Sequence, residues 1–374
     1  MKIGYFIRNY VLKDSYGRST ISGGGKVVSQ HVRLLNEMGY ETLLLTKNLQ
    51  VESNLTELNL YDKPTLIQGE DDIPDCNIYI GTMFNDVKWL FQMGKQKIVH
   101  LCQGYEPIDY ISRIEKKAIT EKYLRKGLVS IWRHIDALKF KRRVKQIESI
   151  YALPTIKAAV SKHLAELIQR RYDQKCFLIQ NGIDANIFYP NEKKIWCKNE
   201  KIKILSVGPM QVGSKGIPDA VQSIRILREK GVPLEFTRVS PVPPSEGEEA
   251  GNVVDQYYVN LKEKEMAELY RDTDIFISSS LEGEGFGLPA MEALACGVPT
   301  ILTEISSYQN FGVRKDFAYF VPTHRPDRIA EGVLAFTEDR GLRERCRERG
   351  IDVAKGFTLE RTKQDLLNFI KELC

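Results

Sequence analysis

The sequence predicts an α/β protein made of two doubly wound domains in tandem. Short β-rich runs alternate with helical patterns through both halves of the chain, and such alternation is typical of parallel strands joined by crossover helices. The length of 374 residues accommodates two domains of ordinary size. A hydrophobic content of 43% is sufficient for two folded cores.

In the first half, a predicted strand at 3–7 is followed by a glycine cluster and by a helix whose apolar residues recur from Val27 to Met38. Further strands of this half are predicted at 42–46, 77–80, 97–101, 155–160 and 177–180. The second half repeats the pattern, with strands predicted at 202–208, 234–239, 253–259, 275–279, 300–303 and 318–321. Its helices are predicted at 218–230, 264–271, 289–296 and 326–336.

A polar, lysine-rich stretch at 190–203 follows Asn181-Gly-Ile-Asp184 and separates the two halves. We therefore expect an N-terminal domain at 1–185 and a C-terminal domain at 186–357. Two such domains form a cleft where the carboxyl ends of their strands face each other, and ligands bind there in open α/β sheets.

Composition excludes several classes of protein. The seven cysteines are scattered without CxxC spacing and the five histidines are dispersed, so neither a disulfide framework nor a zinc site is expected. Arg8 interrupts the apolar run at the N-terminus, and the charge-free stretch 293–303 is far shorter than the roughly 20 residues that span a bilayer. We expect a cytoplasmic protein.

The segment 113–145 is strongly basic, with twelve Lys and Arg residues against three Asp and Glu. Apolar residues run through it at roughly helical spacing, which predicts one long or two short amphipathic helices. One interpretation is an ordinary solvated helix face. The other is peripheral contact with an anionic membrane or with a phosphate-bearing acceptor. No nucleic-acid motif accompanies the segment, so no nucleic-acid partner is expected.

The stretch from Ser278 to Ala295 carries the clearest chemical signal. A strand ends in serines, a loop follows with three glycines, and a helix then opens with Pro289 in its first turn. Glycine allows the backbone to approach a phosphate closely, and the unpaired N–H groups of a first helical turn point at it. The sequence therefore predicts an anion-binding site at this helix start.

Two carboxylates accompany the predicted anion site. Glu284 lies in the loop, and a carboxylate accepts charge-assisted hydrogen bonds from hydroxyl groups such as those of a sugar. Glu292 falls about one turn into the helix, with its side chain leaning back toward the N-terminus, where a ribose attached to a bound diphosphate would lie. Each residue alone is more commonly a surface charge, but the spacing and the glycines favour binding roles.

The pattern from Glu284 to Pro299, Glu-Gly-Phe-Gly-Leu-Pro-x-x-Glu-Ala-x-Ala-x-Gly-x-Pro, resembles the E-x7-E motif of retaining glycosyltransferase family 4, whose members have the GT-B fold. Other blocks that resemble the family appear in the expected order. They are Gly24-Gly25, Asn181-Gly-Ile-Asp184, and Ser206-Val-Gly208 with Lys215-Gly216.

The resemblance implies roles for individual residues. Glu284 would contact the donor sugar at the catalytic centre, and Glu292 would bind the ribose. The backbone of Gly285, Phe286, Gly287 and Leu288 would hold the diphosphate, Lys215 would neutralise it, and Gly24 and Gly25 would approach the donor from the opposite domain. A C-terminal helix at about 358–374 would pack back on the N-terminal domain.

Two departures from the family pattern stand out. The family usually has an arginine directly after Gly208, whereas Pro209 and Met210 follow here. Arg238, after the next strand, is a candidate substitute. Many members also place a histidine near the reacting carbon, and Gln103 takes that position here. Glutamine can hydrogen-bond a sugar hydroxyl but does not exchange a proton near neutral pH.

By resemblance, the reaction moves a sugar from a nucleoside-diphosphate sugar, most commonly a UDP-sugar such as UDP-glucose, to a hydroxyl of a polysaccharide or lipid-linked acceptor of bacterial glycoconjugate type. The anomeric configuration is retained, with a donor phosphate oxygen accepting the acceptor proton. Glu106 is the alternative nucleophile that would support a double displacement. No cofactor or metal is expected, because Asp272-Thr-Asp274 precedes its strand and is typical of a turn or cap.

Other functions compatible with this pattern are a sugar-nucleotide epimerase of GT-B shape and a non-catalytic sugar-nucleotide-binding protein. A dinucleotide oxidoreductase is disfavoured, because Gly23-Gly-Gly25 lacks the G-x-G-x-x-G spacing and no acidic residue follows the second strand.

Overall fold

A computed structural model of the protein describes residues 1–13, 19–47, 64–69, 71–108, 110–111, 128–191, 201–245, 248 and 253–374. Two parallel sheets, one of seven strands and one of six, account for the architecture. The predicted fold class, two Rossmann-like α/β domains, is confirmed.

The first sheet has the strand order β5-β4-β1-β6-β7-β8-β9, with every pairing parallel. Its strands are β1 (Lys2–Phe6), β4 (Glu41–Thr46), β5 (Thr65–Leu66), β6 (Ile78–Gly81), β7 (Ile98–Cys102), β8 (Ile156–Ala159) and β9 (Cys176–Leu178). An antiparallel hairpin comprises β2 (Val11–Lys13) and β3 (Ser19–Ile21). The helices of this half are α1 (Gly23–Glu37), α2 (Phe84–Gln92), α3 (Leu128–Tyr151) and α4 (Lys162–Tyr172). Every residue of β6 and β7 is buried, as expected for central parallel strands.

The second sheet has the strand order β12-β11-β10-β13-β14-β15, again parallel throughout. Its strands are β10 (Ile202–Val207), β11 (Leu234–Ser240), β12 (Gln256–Val259), β13 (Ile275–Ser278), β14 (Thr300–Thr303) and β15 (Tyr319–Val321). The helices that follow are α5 (Ile217–Glu229), α6 (Glu263–Asp272), α7 (Leu288–Ala295), α8 (Ser306–Gln309), α9 (Pro326–Glu338), α10 (Arg340–Ala354) and α11 (Leu359–Leu373).

The start of α1 differs from the sequence-based expectation. The glycines were expected in a loop before a helix at Val27, but the helix begins at Gly23. Ser22 caps it, because the serine hydroxyl accepts a hydrogen bond from the amide of Gly25 at 3.1 Å. Glycine is required inside this turn, since a Cβ at Gly25 would lie 2.5 Å from Cγ2 of Ile21.

The last helix, α11, packs against the first sheet although it follows the second in sequence. The rings of Phe177 and Phe369 meet edge to face at 5.1 Å, and the hydroxyl of Thr362 donates to the carbonyl of Gln180 at 2.8 Å. At the chain crossing, a Cβ on Gly182 would lie 2.3 Å from the carbonyl oxygen of Thr358. These contacts support our proposed division into residues 1–185 with 358–374 and residues 186–357.

The basic segment 113–145 lies only partly within the described residues, since 112–127 fall outside them. Helix α3 contains the remainder of the segment, and side chains are described from Leu138 onward. Among the helices of the described ranges, none combines the length and apolarity needed to cross a membrane.

Candidate functional site

The glycine loop, residues 279–287, connects β13 to α7. Its last residue, Gly287, has a φ of +94°, and a Cβ there would lie 2.4 Å from Cε1 of Tyr308. Glycine is therefore required at position 287, both by the backbone conformation and by the proximity of the Tyr308 ring. Helix α7 starts at Leu288 with Pro289 in its first turn. Pro289 has no N–H group, and the amides of Ala290 and Met291 donate to the carbonyl of Gly287, so the first turn offers the Leu288 amide to a ligand. This is the geometry expected of an anion site.

The structure brings Glu284 and Lys215 together. The Glu284 carboxylate lies 2.6 Å from Nζ of Lys215, and both side chains are largely buried. Lys215 belongs to the 3-10 turn Gly213–Lys215, which contacts the glycine loop through the hydrogen bond from the Leu281 amide to the Ser214 carbonyl. Gly216, with φ +59°, packs so closely that a Cβ would lie 1.9 Å from the Ser279 carbonyl. Lys215 and Glu284 are therefore held in place by two turns that pack directly against each other.

Glu292 lies one turn further along α7, with its side chain partly exposed. Its carboxylate accepts a hydrogen bond from the hydroxyl of Tyr270 at 3.0 Å. Burial raises the pKa of Glu292 to about 6, an effect opposed by the positive charges of Lys26 and Lys215. Lys26 belongs to α1 of the opposite domain, so residues of both domains influence this carboxylate.

The phenylalanine of the glycine loop has a structural side chain. Phe286 is 4% exposed and packs against Phe311 and Phe357 with ring centroids 5.3 and 5.6 Å away. Its ring anchors the loop in the core of the second domain, so only its backbone is available to a ligand.

On the other side of the cleft, Gln103 follows β7 and contacts the first turn of α1. Its side-chain amide donates to the carbonyl of Gly24 at 3.2 Å. A Cβ on Gly24 would lie 2.8 Å from Oε1 of the same glutamine. Gln103 therefore lies beside Gly24, at the carboxyl edge of the first sheet, and the sequence-predicted residues of this domain lie together.

The two domains meet at the glycine loop. A Cβ on Gly285 would lie 1.7 Å from the carbonyl oxygen of Gln103. A Cβ on Gly104 would lie 3.5 Å from the carbonyl oxygen of Gly283. The hydroxyl of Ser161, which follows β8, donates to the carbonyl of Gly285 at 2.7 Å. The carboxyl ends of both sheets thus face a shared cleft, as the fold predicts.

The structure does not support Arg238 as a substitute phosphate ligand. Its side chain is fully buried, with the guanidinium 3.1 Å from the carboxylate of Glu248. Its two terminal nitrogens donate to the carbonyls of Ser206 and Gly208 at 2.7 and 2.5 Å. A guanidinium enclosed in this way cannot reach a diphosphate. Its role is to fix the backbone that leads from β10 toward Lys215.

Three other charged or titratable groups also have structural contacts. Asp272 pairs with Lys203 at 2.8 Å, and Asp274 accepts from the Lys203 amide, both at the amino edge of the second sheet and away from the cleft. Glu106 accepts a hydrogen bond from the Phe84 amide at 3.1 Å, and at 3.3 Å it shares the hydroxyl proton of Tyr151 with the carbonyl of Gly104. The carboxylate of Glu106 is therefore held within the first domain.

Sequence reasoning missed several residues at the cleft, namely Lys26, Ser161, His163 and Tyr270. The position of Ser161 between a strand and a helix is a signal that sequence alone offers, because the carboxyl ends of parallel strands line the cleft. Tyr270 and Glu292 are 22 residues apart and belong to two different helices, so no sequence pattern indicates their contact.

Residues 248–353 match the family model described as Glycosyl transferases group 1. This segment contains the glycine loop and α7. MMP alpha-(1->4)-mannosyltransferase from Mycolicibacterium hassiacum is 26% identical over 239 residues, which cover 63% of this chain and 54% of the relative. O-antigen chain mannosyltransferase B from Escherichia coli is 30% identical over 118 residues, which cover 32% of this chain and 30% of the relative. The chain spans about half or less of the length of these curated relatives.

Solved structures show the same fold. Sucrose-phosphate synthase from Thermosynechococcus elongatus superposes with a TM-score of 0.72 at 15% identity, covering 100% of this chain and 98% of that structure. HepE from Anabaena, solved in complex with UDP-glucose, superposes with a TM-score of 0.69 at 10% identity and covers both chains completely. The chain has the GT-B fold, in which two Rossmann-like domains face each other across a cleft.

Proposed function

We propose that the chain is a retaining glycosyltransferase of the family 4 type, which transfers a sugar from a nucleoside-diphosphate sugar to an acceptor hydroxyl. The observation that carries the proposal is the arrangement at the start of α7. The Glu284–Lys215 pair lies on one side of the open helix start, and Glu292 lies one turn away. The names of the relatives and the family model over 248–353 support the same reaction class.

Each group has a role in the proposed donor complex. The amides around Gly287 and Leu288 bind the diphosphate, and the Lys215 ammonium neutralises it. Glu292 accepts hydrogen bonds from the ribose hydroxyls. Glu284 shares its carboxylate between Lys215 and the hydroxyls of the donor sugar, and it thereby orients the anomeric carbon.

The proposed transfer is a front-face reaction. The bond between the anomeric carbon and the diphosphate oxygen breaks, the acceptor oxygen bonds to the same face of that carbon, and the acceptor proton moves to the diphosphate. The products are a glycoside and a nucleoside diphosphate. The Glu106 carboxylate is hydrogen-bonded by the Phe84 amide and the Tyr151 hydroxyl. This supports the front-face route over a double displacement in which Glu106 is the nucleophile. Gln103 is proposed to hydrogen-bond the reacting sugar beside Gly24.

The donor and acceptor are proposed at the level of chemical class. A UDP-sugar such as UDP-glucose is the proposed donor, supported by the UDP-glucose complex of HepE, which has the same fold. The acceptor is a saccharide or lipid-linked hydroxyl. Peripheral contact with anionic membrane is proposed for 113–145, supported by the exposed residues Leu138, Lys139, Lys141 and Arg142 of α3.

Turnover without a divalent metal is part of the proposal. Lys215 and the helix start supply fixed positive electrostatic potential for the departing diphosphate. We expect nucleoside diphosphate to be released from one of a panel of UDP- and GDP-sugars in excess EDTA, at the same rate as with added Mg²⁺. A donor that binds without turnover would indicate a binding protein, and a panel without binding would contradict the proposed function.

The raised pKa of Glu292 predicts a pH dependence of nucleotide affinity. A carboxylate with a pKa of about 6 is mostly ionised at pH 7.5 and mostly protonated at pH 5. Only the ionised form accepts charge-assisted hydrogen bonds from both ribose hydroxyls. We therefore expect UDP affinity to fall by about tenfold between pH 7.5 and pH 5.

Calorimetric titration with UDP measures this change, and Glu292→Gln is the matched control. Phosphate titration of UDP itself affects both proteins equally, so the ratio of their dissociation constants isolates Glu292. A ratio that stays constant between pH 7.5 and pH 5 would contradict a ribose contact made by a carboxylate that titrates near pH 6.

A further inference from the structure

Ser161 does not behave as an ordinary helix cap. It occupies the N-cap position of α4, yet its side chain makes no capping hydrogen bond to its own helix. A serine in this position ordinarily accepts from an amide of the first turn. Here the hydroxyl is buried and donates across the cleft to the carbonyl of Gly285, 124 residues later in the chain.

The direction of the hydrogen bonds around Ser161 follows from its single proton. A carbonyl oxygen only accepts, so the serine proton is directed at Gly285. The serine oxygen then accepts from Nδ1 of His163, which lies 3.1 Å away. Burial lowers the pKa of His163 to about 4, so the imidazole is neutral at neutral pH. The backbone and the negative charge of Glu284 oppose this effect, since both raise the pKa of His163.

Glu284 is consequently held from two domains. Ser161 of the first domain, with His163 as its second partner, bonds to the carbonyl of Gly285, whereas Lys215 of the second domain pairs with the Glu284 side chain at 2.6 Å. The carbonyl of Gln103 packs against Gly285 without room for a Cβ. The carboxylate of Glu284 is thus bound within the second domain, by Lys215 and by the hydroxyl of Ser280 at 3.3 Å, whereas the backbone beside it contacts the first domain.

We propose that Ser161, oriented by His163, is a positioning residue for sugar transfer, which holds the backbone at Gly285 so that the neighbouring Glu284 carboxylate is aligned while the domains are in contact. This inference rests on the proposed function. Within the described residues, the side-chain hydrogen bonds of Ser161 join it to Gly285 and His163, not to Glu292 or the start of α7, the proposed sites of ribose and diphosphate binding. Loss of Ser161 should therefore slow transfer and leave nucleotide binding unchanged.

The test compares Ser161→Ala with Ser161→Thr and with Ser223→Ala in the full chain. Ser223 is a matched control, because its buried hydroxyl also donates to a backbone carbonyl at 2.7 Å, but within α5 and away from the cleft. We expect Ser161→Ala to lower kcat for nucleotide release from the donor sugar by roughly 3- to 10-fold, the loss of one hydrogen bond. The dissociation constant for UDP should stay within twofold of the wild type, and Ser161→Thr should restore kcat.

Equal kcat values for Ser161→Ala and Ser223→Ala would overturn the proposal. Parallel losses of kcat and UDP affinity would overturn it too, because they indicate a general structural role. Hydrogen exchange of the amides at 281–288 supplies a readout independent of turnover. We expect faster exchange there in Ser161→Ala than in Ser223→Ala. A wild-type chain without turnover would contradict the proposed function. Hydrogen exchange at 281–288 that is the same in Ser161→Ala as in Ser223→Ala would contradict a stabilising contact between Ser161 and the glycine loop.

Discussion

Replacement of Arg238 with methionine is expected to lower the free energy of unfolding by roughly 3–5 kcal/mol, the usual loss when one partner of a buried ion pair is removed. The guanidinium and its partner Glu248 are 0% and 1% exposed. Methionine fills most of the volume but leaves the Glu248 carboxylate buried without its counter-charge. The carbonyls of Ser206 and Gly208 lose their donors as well.

Urea unfolding of Arg238→Met, with Arg328→Met as control, measures this loss. Arg328 pairs with Glu331 at 2.6 Å, but both side chains are about half exposed, and a surface pair of this kind contributes about 0–1 kcal/mol. The double variant Arg238→Met, Glu248→Leu should recover part of the stability, because no charge is then left unpaired. Equal stability of Arg238→Met and Arg328→Met would contradict the structural role assigned to Arg238.

Replacing the two glutamates of the E-x7-E motif one at a time is expected to affect different steps, sugar transfer in one variant and UDP binding in the other. Glu284→Ala should lower kcat by about 10²–10³, the range for removal of one preorganised polar contact at a reacting centre. Its UDP affinity should change only a few-fold, since Glu284 is proposed to contact the donor sugar and not the nucleotide. Glu292→Ala should weaken UDP binding by roughly 10- to 100-fold, the loss of hydrogen bonds to a charged group.

Glu282 provides the control for both variants. It lies in the same glycine loop, and its carboxylate accepts from the amide of Ser306 at 3.0 Å on the exposed side of the loop. Glu282→Ala should change neither kcat nor UDP affinity by more than about twofold. Equal losses of UDP affinity in Glu284→Ala and Glu292→Ala would contradict the separate roles assigned to the two residues.

Much of the fold could be predicted because parallel strands are short, continuous apolar runs. The predicted strand at 300–303 coincides with β14, and the predicted strand at 202–208 differs from β10 by one residue. Helix α10 was missed, since its sequence is dominated by charged residues and buries only Arg343, Cys346, Gly350 and Ala354. A helix with so few apolar positions lacks the periodicity on which prediction depends.

The candidate site was predictable where its residues are close in sequence. The glycine loop and Glu292 belong to one strand–loop–helix unit, so their proximity follows from local geometry. Arg238 was misassigned because its place after a strand suggests a cleft residue, whereas its partner Glu248 lies in a separate segment of the chain. Ser161 bonds to Gly285 across the domain boundary, and sequence spacing carries no information about such a contact.

A crystal structure with UDP bound tests the central claim most directly. We expect the diphosphate at the amide of Leu288 and Nζ of Lys215, with a ribose hydroxyl within roughly 2.6–3.2 Å of the Glu292 carboxylate. GDP replaces UDP in this experiment if titration shows that it binds more tightly. Nucleotide bound elsewhere, or bound with its ribose directed away from Glu292, would contradict the account.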